Sequence, residues 1–221
     1  MTLVSEGLNS QRAWWLRTAL VLQAPRAVFA ALRDESDEAV ENRQEPVTAL
    51  VFLAGIAAVI AAPRFGTLLD DPARDWLIVA LIAVAAGGIY GLIGYWLLGA
   101  GLKLASDRLG SAGDARRFRH VLAFALTPLV LSLFVIWPLR LALYGGDVFK
   151  TGGSDSGAAG QGFEWSILAF VLWALALLVV GIRTVQSLSW ARAVALSSLG
   201  LVLAGSILAL WVALLSVFPS D

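Results

Sequence analysis

Apolar and polar positions in this chain separate into long blocks, with no strand-like alternation. Five apolar blocks run from Val47 to Ala62, Trp76 to about Leu102, His120 to about Tyr144, Phe163 to Ile182, and Trp190 to Phe218. A helix needs roughly 20 apolar residues to cross a bilayer core, because each residue rises about 1.5 Å. Backbone groups in lipid must be bonded internally, so each block predicts a transmembrane helix. The first block is short, which predicts that its helix reaches back a turn past Pro46 or sits tilted. Pro128 and Pro138 lie inside the third block, and each removes a ladder donor and bends the helix. Trp76, Trp137, Trp165, Trp190 and Trp211 fall near block ends, the place of interfacial anchors.

Before the first block, Gln11 to Gln23 is rich in apolar side chains, including Trp14 and Trp15. It also carries Arg12 and Arg17, so it is too short and too charged to span, and an interfacial amphipathic helix fits it. Pro25 then suits the first turn of a following helix. The acidic run Asp34 to Glu45 reads as a solvated segment or a dock for a basic partner. The glycine-rich stretch Tyr144 to Gly162 reads as a flexible loop in which Gly153 tolerates a larger side chain. The fold class is therefore all-α: five transmembrane helices with an amino-terminal interfacial helix. Residues 1–45 form a cytosolic segment and residues 46–221 the membrane domain.

Composition agrees. The 221 residues are 59% hydrophobic and 14% charged, with a mean hydropathy of +0.80. Ordinary soluble domains are about 45–50% apolar and about 25% charged. The net charge is zero, which leaves no global field to attract nucleic acid. There are no cysteines and one histidine, which excludes a thiolate or multi-histidine metal site. No phosphate loop, zinc-protease helix or serine elbow occurs, so neither a catalytic residue nor a cofactor is expected.

The basic residues set an orientation. Twelve of the 16 fall on the side of the amino terminus, the second-to-third connection and the fourth-to-fifth connection. The other side holds Arg64, Arg74, Arg140 and Lys150. Basic connections stay cytoplasmic. The amino terminus is therefore expected inside and the carboxyl terminus outside a bacterial inner membrane.

Two groups of candidate site residues emerge. Arg116, Arg117, Arg119 and His120 at the start of the third span, with Trp14 and Trp15, form a candidate lipid- or partner-binding surface at headgroup level. His120 is expected at the interface, where an unperturbed imidazole could also sense pH. The second group is for helix packing. Gly87, Gly91 and Gly99 share a face of the second span, Gly205 lies on the fifth, and Pro128 bends the third. Small residues four apart permit close helix approach within the chain, in a homo-oligomer, or along a substrate path.

The order of several short motifs resembles the bacterial branch of the Yip family, membrane proteins named for eukaryotic relatives that interact with Ypt/Rab GTPases. The likeness rests on Pro25-Arg26-Ala27-Val28-Phe29 before the first span and on Ala123-Phe124-Ala125-Leu126-Thr127-Pro128 in the third. It also rests on the exit Gly181-Ile182-Arg183 and the turn Leu188-Ser189-Trp190-Ala191-Arg192-Ala193. The resemblance implies a five-helix membrane domain with a cytosolic amino terminus, and it transfers no catalytic residue. The expected function is a non-enzymatic membrane scaffold or adaptor. Its partners would be membrane lipids and a protein at the cytosolic face. The alternative is a small-solute channel or transporter.

Overall fold

The computed structural model describes residues 2–111, 113–155 and 157–217. Eight α-helices follow one another: α1 (Thr2–Leu20), α2 (Pro25–Ala31), α3 (Asp37–Ile60), α4 (Trp76–Arg108), α5 (Ala115–Ala125), α6 (Thr127–Tyr144), α7 (Ala158–Gln186) and α8 (Trp190–Val217). Two 3₁₀ helices, Pro63–Asp70 and Gly145–Phe149, complete the order. Five segments are long and apolar enough to span a membrane: α3, α4, α5 with α6, α7 and α8. The fold is an all-α membrane domain. Phe218, the expected end of the last span, lies outside the described residues, as does the side chain of Trp211.

Capping explains where the helices begin. Ser36 Oγ accepts from the Ala39 amide at 3.3 Å, and Asp37 and Glu38 sit in the first turn of α3, at the positive end of its dipole. The helix therefore starts nine residues before Pro46 rather than one turn before it. Pro46 is buried inside α3. Asp75 caps α4 through the Ile78 amide at 2.9 Å, and Asp114 caps α5 through the Arg116 and Arg117 amides at 2.8 and 3.3 Å. At 33 residues, α4 is about 50 Å long, against a hydrocarbon core of about 30 Å. Its last turns around Lys103 and Arg108 thus extend past the core.

The third span is two helices rather than one bent helix. The chain breaks at Leu126, and Pro128 occupies the first turn of α6, where its missing donor costs nothing. The Thr127 hydroxyl donates to the Phe124 carbonyl at 2.8 Å across the break.

Lipid offers no hydrophobic drive for helix association, so span packing rests on close approach. The contact between α3 and α4 is glycine on glycine. A Cβ on Gly91 would lie 2.5 Å from the Val51 carbonyl, one on Gly87 2.6 Å from Ile56 Cα, and one on Gly55 2.7 Å from Gly91 Cα. Gly101 of α4 and Gly200 of α8 make a second such crossing. Gly205 does not take part: it is exposed, and a Cβ there meets nothing within 4 Å. The contact face of α8 runs through Gly200 and Ala204 instead, one position away from the expected stripe.

The face opposite the amino terminus is closed by aromatic side chains. Phe149 meets Phe65 and Trp76 edge-on at 5.5 Å, and stacks on Trp137 at 6.3 Å. Trp137 is thereby buried and is not an interfacial anchor, whereas Trp76, Trp165 and Trp190 are exposed. The glycine-rich connection is accordingly a plug as well as a loop. Its Thr151 amide donates to Asp70 at 2.8 Å, and a Cβ on Gly153 would strike the Asp147 carbonyl. Gly153 therefore has no room for a larger side chain.

The glycine contact yields a direct comparison on one helix. Gly91→Leu should lower stability by about 1–3 kcal/mol or more, since both sides are backbone. Gly94→Leu, where a Cβ meets open space, should leave it within about 0.5 kcal/mol. Thermal unfolding of the two variants in one detergent reads the difference; equal midpoints would remove the contact.

Candidate functional site

Helices α1 and α2 fold back onto the ends of the spans that carry most of the basic residues. This basic face is organised around an arginine. Arg43 lies on α3 at a spacing of three, four and seven residues from Pro46, Val47 and Leu50, which is the buried face of that helix. Its side chain is completely buried. Nε donates to His120 Nδ1 at 3.0 Å and Nη1 to the Asp34 carbonyl at 2.7 Å. The guanidinium also lies 5.6 Å from the Trp14 ring centroid. All three partners are neutral. Arginine only donates, so His120 Nδ1 is an acceptor and its ring proton sits on Nε2.

His120 is thus not an interfacial residue. It is 2% exposed and acts as the acceptor that lets α3 bury a guanidinium against α5. Trp14 is buried as well, tilted against Phe124 at 5.7 Å with the Arg17 guanidinium 4.2 Å from its centroid. Trp15 is 40% exposed, beside the exposed Leu16 and Leu20. The two adjacent tryptophans therefore split between core and surface.

The arginines of α5 divide in the same way. Arg117 pairs with Glu35 at 2.7 Å and ties α5 to the connection before α3. Arg119 lays its stem across Gly99 and its guanidinium over Trp96 at 4.0 Å. This is why position 99 carries no side chain. Arg116 alone of the three is exposed. From α2–α3, Arg33 donates to the Thr184 carbonyl and to Ser187 Oγ, the latter at 2.9 Å, and so caps the carboxyl end of α7. Arg183 lies over Trp190 at 4.5 Å.

Beside this arrangement a polar cavity of about 360 Å³ opens between α1 and α3, lined in part by Arg17, Asp34, Ser36, Glu38 and Asn42. The Ser36 amide and hydroxyl hold the Asp34 carboxyl below the usual carboxylate range. With its folded value depressed, Asp34 supports the turn at neutral pH and loses that support as pH falls through it. Chemically, the face offers fixed donors, acceptors and exposed cations suited to binding.

Residues 19–213 match the family pattern of the Yip1 domain. The chain belongs to the Yip1 domain family. No curated protein and no solved structure gives a significant match. The Yip1 domain here takes in all five spans, and every residue from Arg33 to Arg192 named above lies within it. Trp14 and Arg17 precede the matched residues yet pack onto them, so the cap of the Yip1 domain is completed by residues outside it.

The sequence reading missed Arg43 as a site residue, counting it only as one positive charge. Its helical register with Val47 and Leu50 was the available signal. Replacing His120 by Leu leaves a buried guanidinium short of an acceptor and should cost about 3 kcal/mol or more. The double change Arg43→Met with His120→Leu removes donor and acceptor together and should cost less than His120→Leu alone. Denaturation midpoints of the three variants test this, and a strictly additive double variant would contradict the pairing.

Proposed function

We propose that this Yip1-domain protein is a non-enzymatic membrane scaffold whose basic face, in the cytosol of a bacterial inner membrane, holds anionic lipid and an acidic protein partner. The observation that carries this reading is the construction of the basic face. Four of its arginines, Arg43, Arg117, Arg119 and Arg33, are engaged by His120, Glu35, Trp96 and Thr184 and tie its helices together as a platform. Arg12, Arg26, Arg116 and Arg192 are left exposed around it. The exposed Trp15, Leu16 and Leu20 of α1 fit a helix lying at headgroup depth beside this platform.

The span interior supports a scaffold over a channel. The buried hydroxyls of Thr127, Ser132 and Ser197 each donate to a carbonyl of the preceding turn, at 2.8, 2.7 and 2.8 Å. Hydroxyls used this way commit their one donor to their own helix, which favours a packed interior.

Orientation is testable first. With twelve basic residues on the amino-terminal side and four on the other, an alkaline phosphatase fused after Asp221 should be active outside the cytoplasm. A well-expressed but inactive fusion contradicts the five-span orientation.

The binding role is tested by changing Arg12, Arg26 and Arg116 to Gln together, which spares the structural arginines. At about 1 kcal/mol per residue near an anionic leaflet, retention of anionic lipid and of partners cross-linked in native membranes should fall by roughly 100-fold at low salt. The difference should shrink at high salt. Unchanged retention defeats the scaffold reading, as does passage of ions or a small solute through vesicles containing the purified protein.

A further inference from the structure

A sizeable cavity lies on the opposite face, away from the proposed platform. It measures about 550 Å³ and sits between the end of α3 and the start of α7, with Trp137 and Arg140 of α6 contributing to its wall. Four charged side chains line it: Arg140, Lys150, Asp155 and Glu164. Arg140 and Asp155 pair with each other while only 13% and 9% exposed. Both bonds from Arg140, through Nε at 3.1 Å and through Nη2, end on Asp155 Oδ2. Among the described residues this leaves Oδ1 to accept and Nη1 to donate. Lys150 reaches Asp147 at 3.0 Å with half of its side chain exposed, and Glu164 is exposed.

The cavity changes character with depth. Glu164 stands at the loop end of α7. Ile167, Leu168 and Val171 follow on the same wall, the last about 10 Å further along the helix. Ile60, the last residue of α3, and Trp137, one turn before Arg140, add apolar lining beside the charged groups. The four charged groups therefore lie at the end of the spans, and along α7 the lining becomes wholly apolar toward the span interior. A soluble metabolite has no use for that gradient, and an amphiphile requires it. The charges are balanced, two of each sign, which suits a ligand carrying both. A carboxylate pair favours an ammonium that can donate hydrogen bonds over a trimethylammonium that cannot.

We propose that this cavity binds one phospholipid with a zwitterionic headgroup bearing a primary ammonium, of the phosphatidylethanolamine type. Its phosphate faces Arg140 and Lys150, its ammonium faces Asp155 and Glu164, and one acyl chain lies along Ile167, Leu168 and Val171. The ion pair Arg140–Asp155 holds the site together, and Lys150 and Glu164 complete it.

The test is native mass spectrometry of the full chain released from nanodiscs containing equal phosphatidylethanolamine, phosphatidylcholine and phosphatidylglycerol. The wild type should retain phosphatidylethanolamine over the other two. The double variant Lys150→Gln with Glu164→Gln leaves net charge unchanged and spares the buried pair, and it should lose about tenfold or more of that retention. Leu168→Trp, at a 42% exposed position, should lose it by filling the acyl end with the charges intact. Unfolding midpoints matching the wild type confirm that both variants are folded. Equal retention of the three lipids, or undiminished retention by the folded double variant, overturns the proposal. Displacement of the lipid by free glycerophosphoethanolamine also overturns it, because the site would then recognise a soluble zwitterion rather than a lipid.

Discussion

A fully buried guanidinium with neutral partners is the constraint around which the basic face is arranged. Arg43 cannot be deprotonated and cannot reach water from its place on α3, so every donor it carries needs an acceptor supplied by the fold. His120 supplies one from α5 and the Asp34 carbonyl another from the turn before α3. Trp14 adds its π face from α1. Each of these comes from a different part of the chain. Satisfying one side chain therefore fixes the relative positions of α1, α3, α5 and the intervening turn. The remaining arginines extend the same logic outward, with Arg117 on Glu35 and Arg33 on the end of α7.

The spans beneath obey a different rule. Between apolar helices in lipid the gain comes from dispersion at short range and from weak backbone contacts, so what matters is how closely two axes can approach. Gly55, Gly87 and Gly91 remove the side chains that would separate α3 from α4, and Gly101 with Gly200 does the same for α4 and α8. Helix α4 is thus held on two sides by backbone contact. Between these two crossings Gly99 gives a bed for the Arg119 stem, which links span packing to the basic face.

Much of this was legible in the sequence because lipid leaves few alternatives. Block length alone places five spans, and the spacing of Gly87 and Gly91 marks a real contact. What the sequence hid was whatever depends on a partner distant along the chain. Gly205 shares its spacing pattern with Gly200 and Ala204, and only the crossing with α4 decides which of them packs. Trp14 and Trp15 are chemically identical neighbours; a rotation of about 100° per residue sends one to Phe124 and the other outward. Arg116, Arg117 and Arg119 read as one positive patch, but Glu35 and Trp96, far away in sequence, convert two of them into internal ties. His120 reads as an interfacial titrating group until Arg43 is known to be its donor. Pro128 was visible as a helix disturbance, and its local neighbours could not say whether the helix bends or starts anew.

The two faces of the domain differ in how they handle charge, and that difference bears on what each can do. On the basic face Arg43, Arg117, Arg119 and Arg33 are engaged by neutral, aromatic or carboxylate partners from other parts of the chain, and exposed cations stand around them. Such an arrangement suits docking, in which the rim sets attraction and salt dependence. On the opposite face the nearly buried pair of Arg140 and Asp155 meets at a single carboxylate oxygen, which among the described residues leaves Asp155 Oδ1 and Arg140 Nη1 for further bonds. A ligand carrying both signs of charge can add hydrogen bonds to such a pair, and in a low-dielectric setting those bonds are worth more than in water. The chain thereby uses one set of charges to hold its own helices and gathers the other around a cavity at the opposite end of the spans.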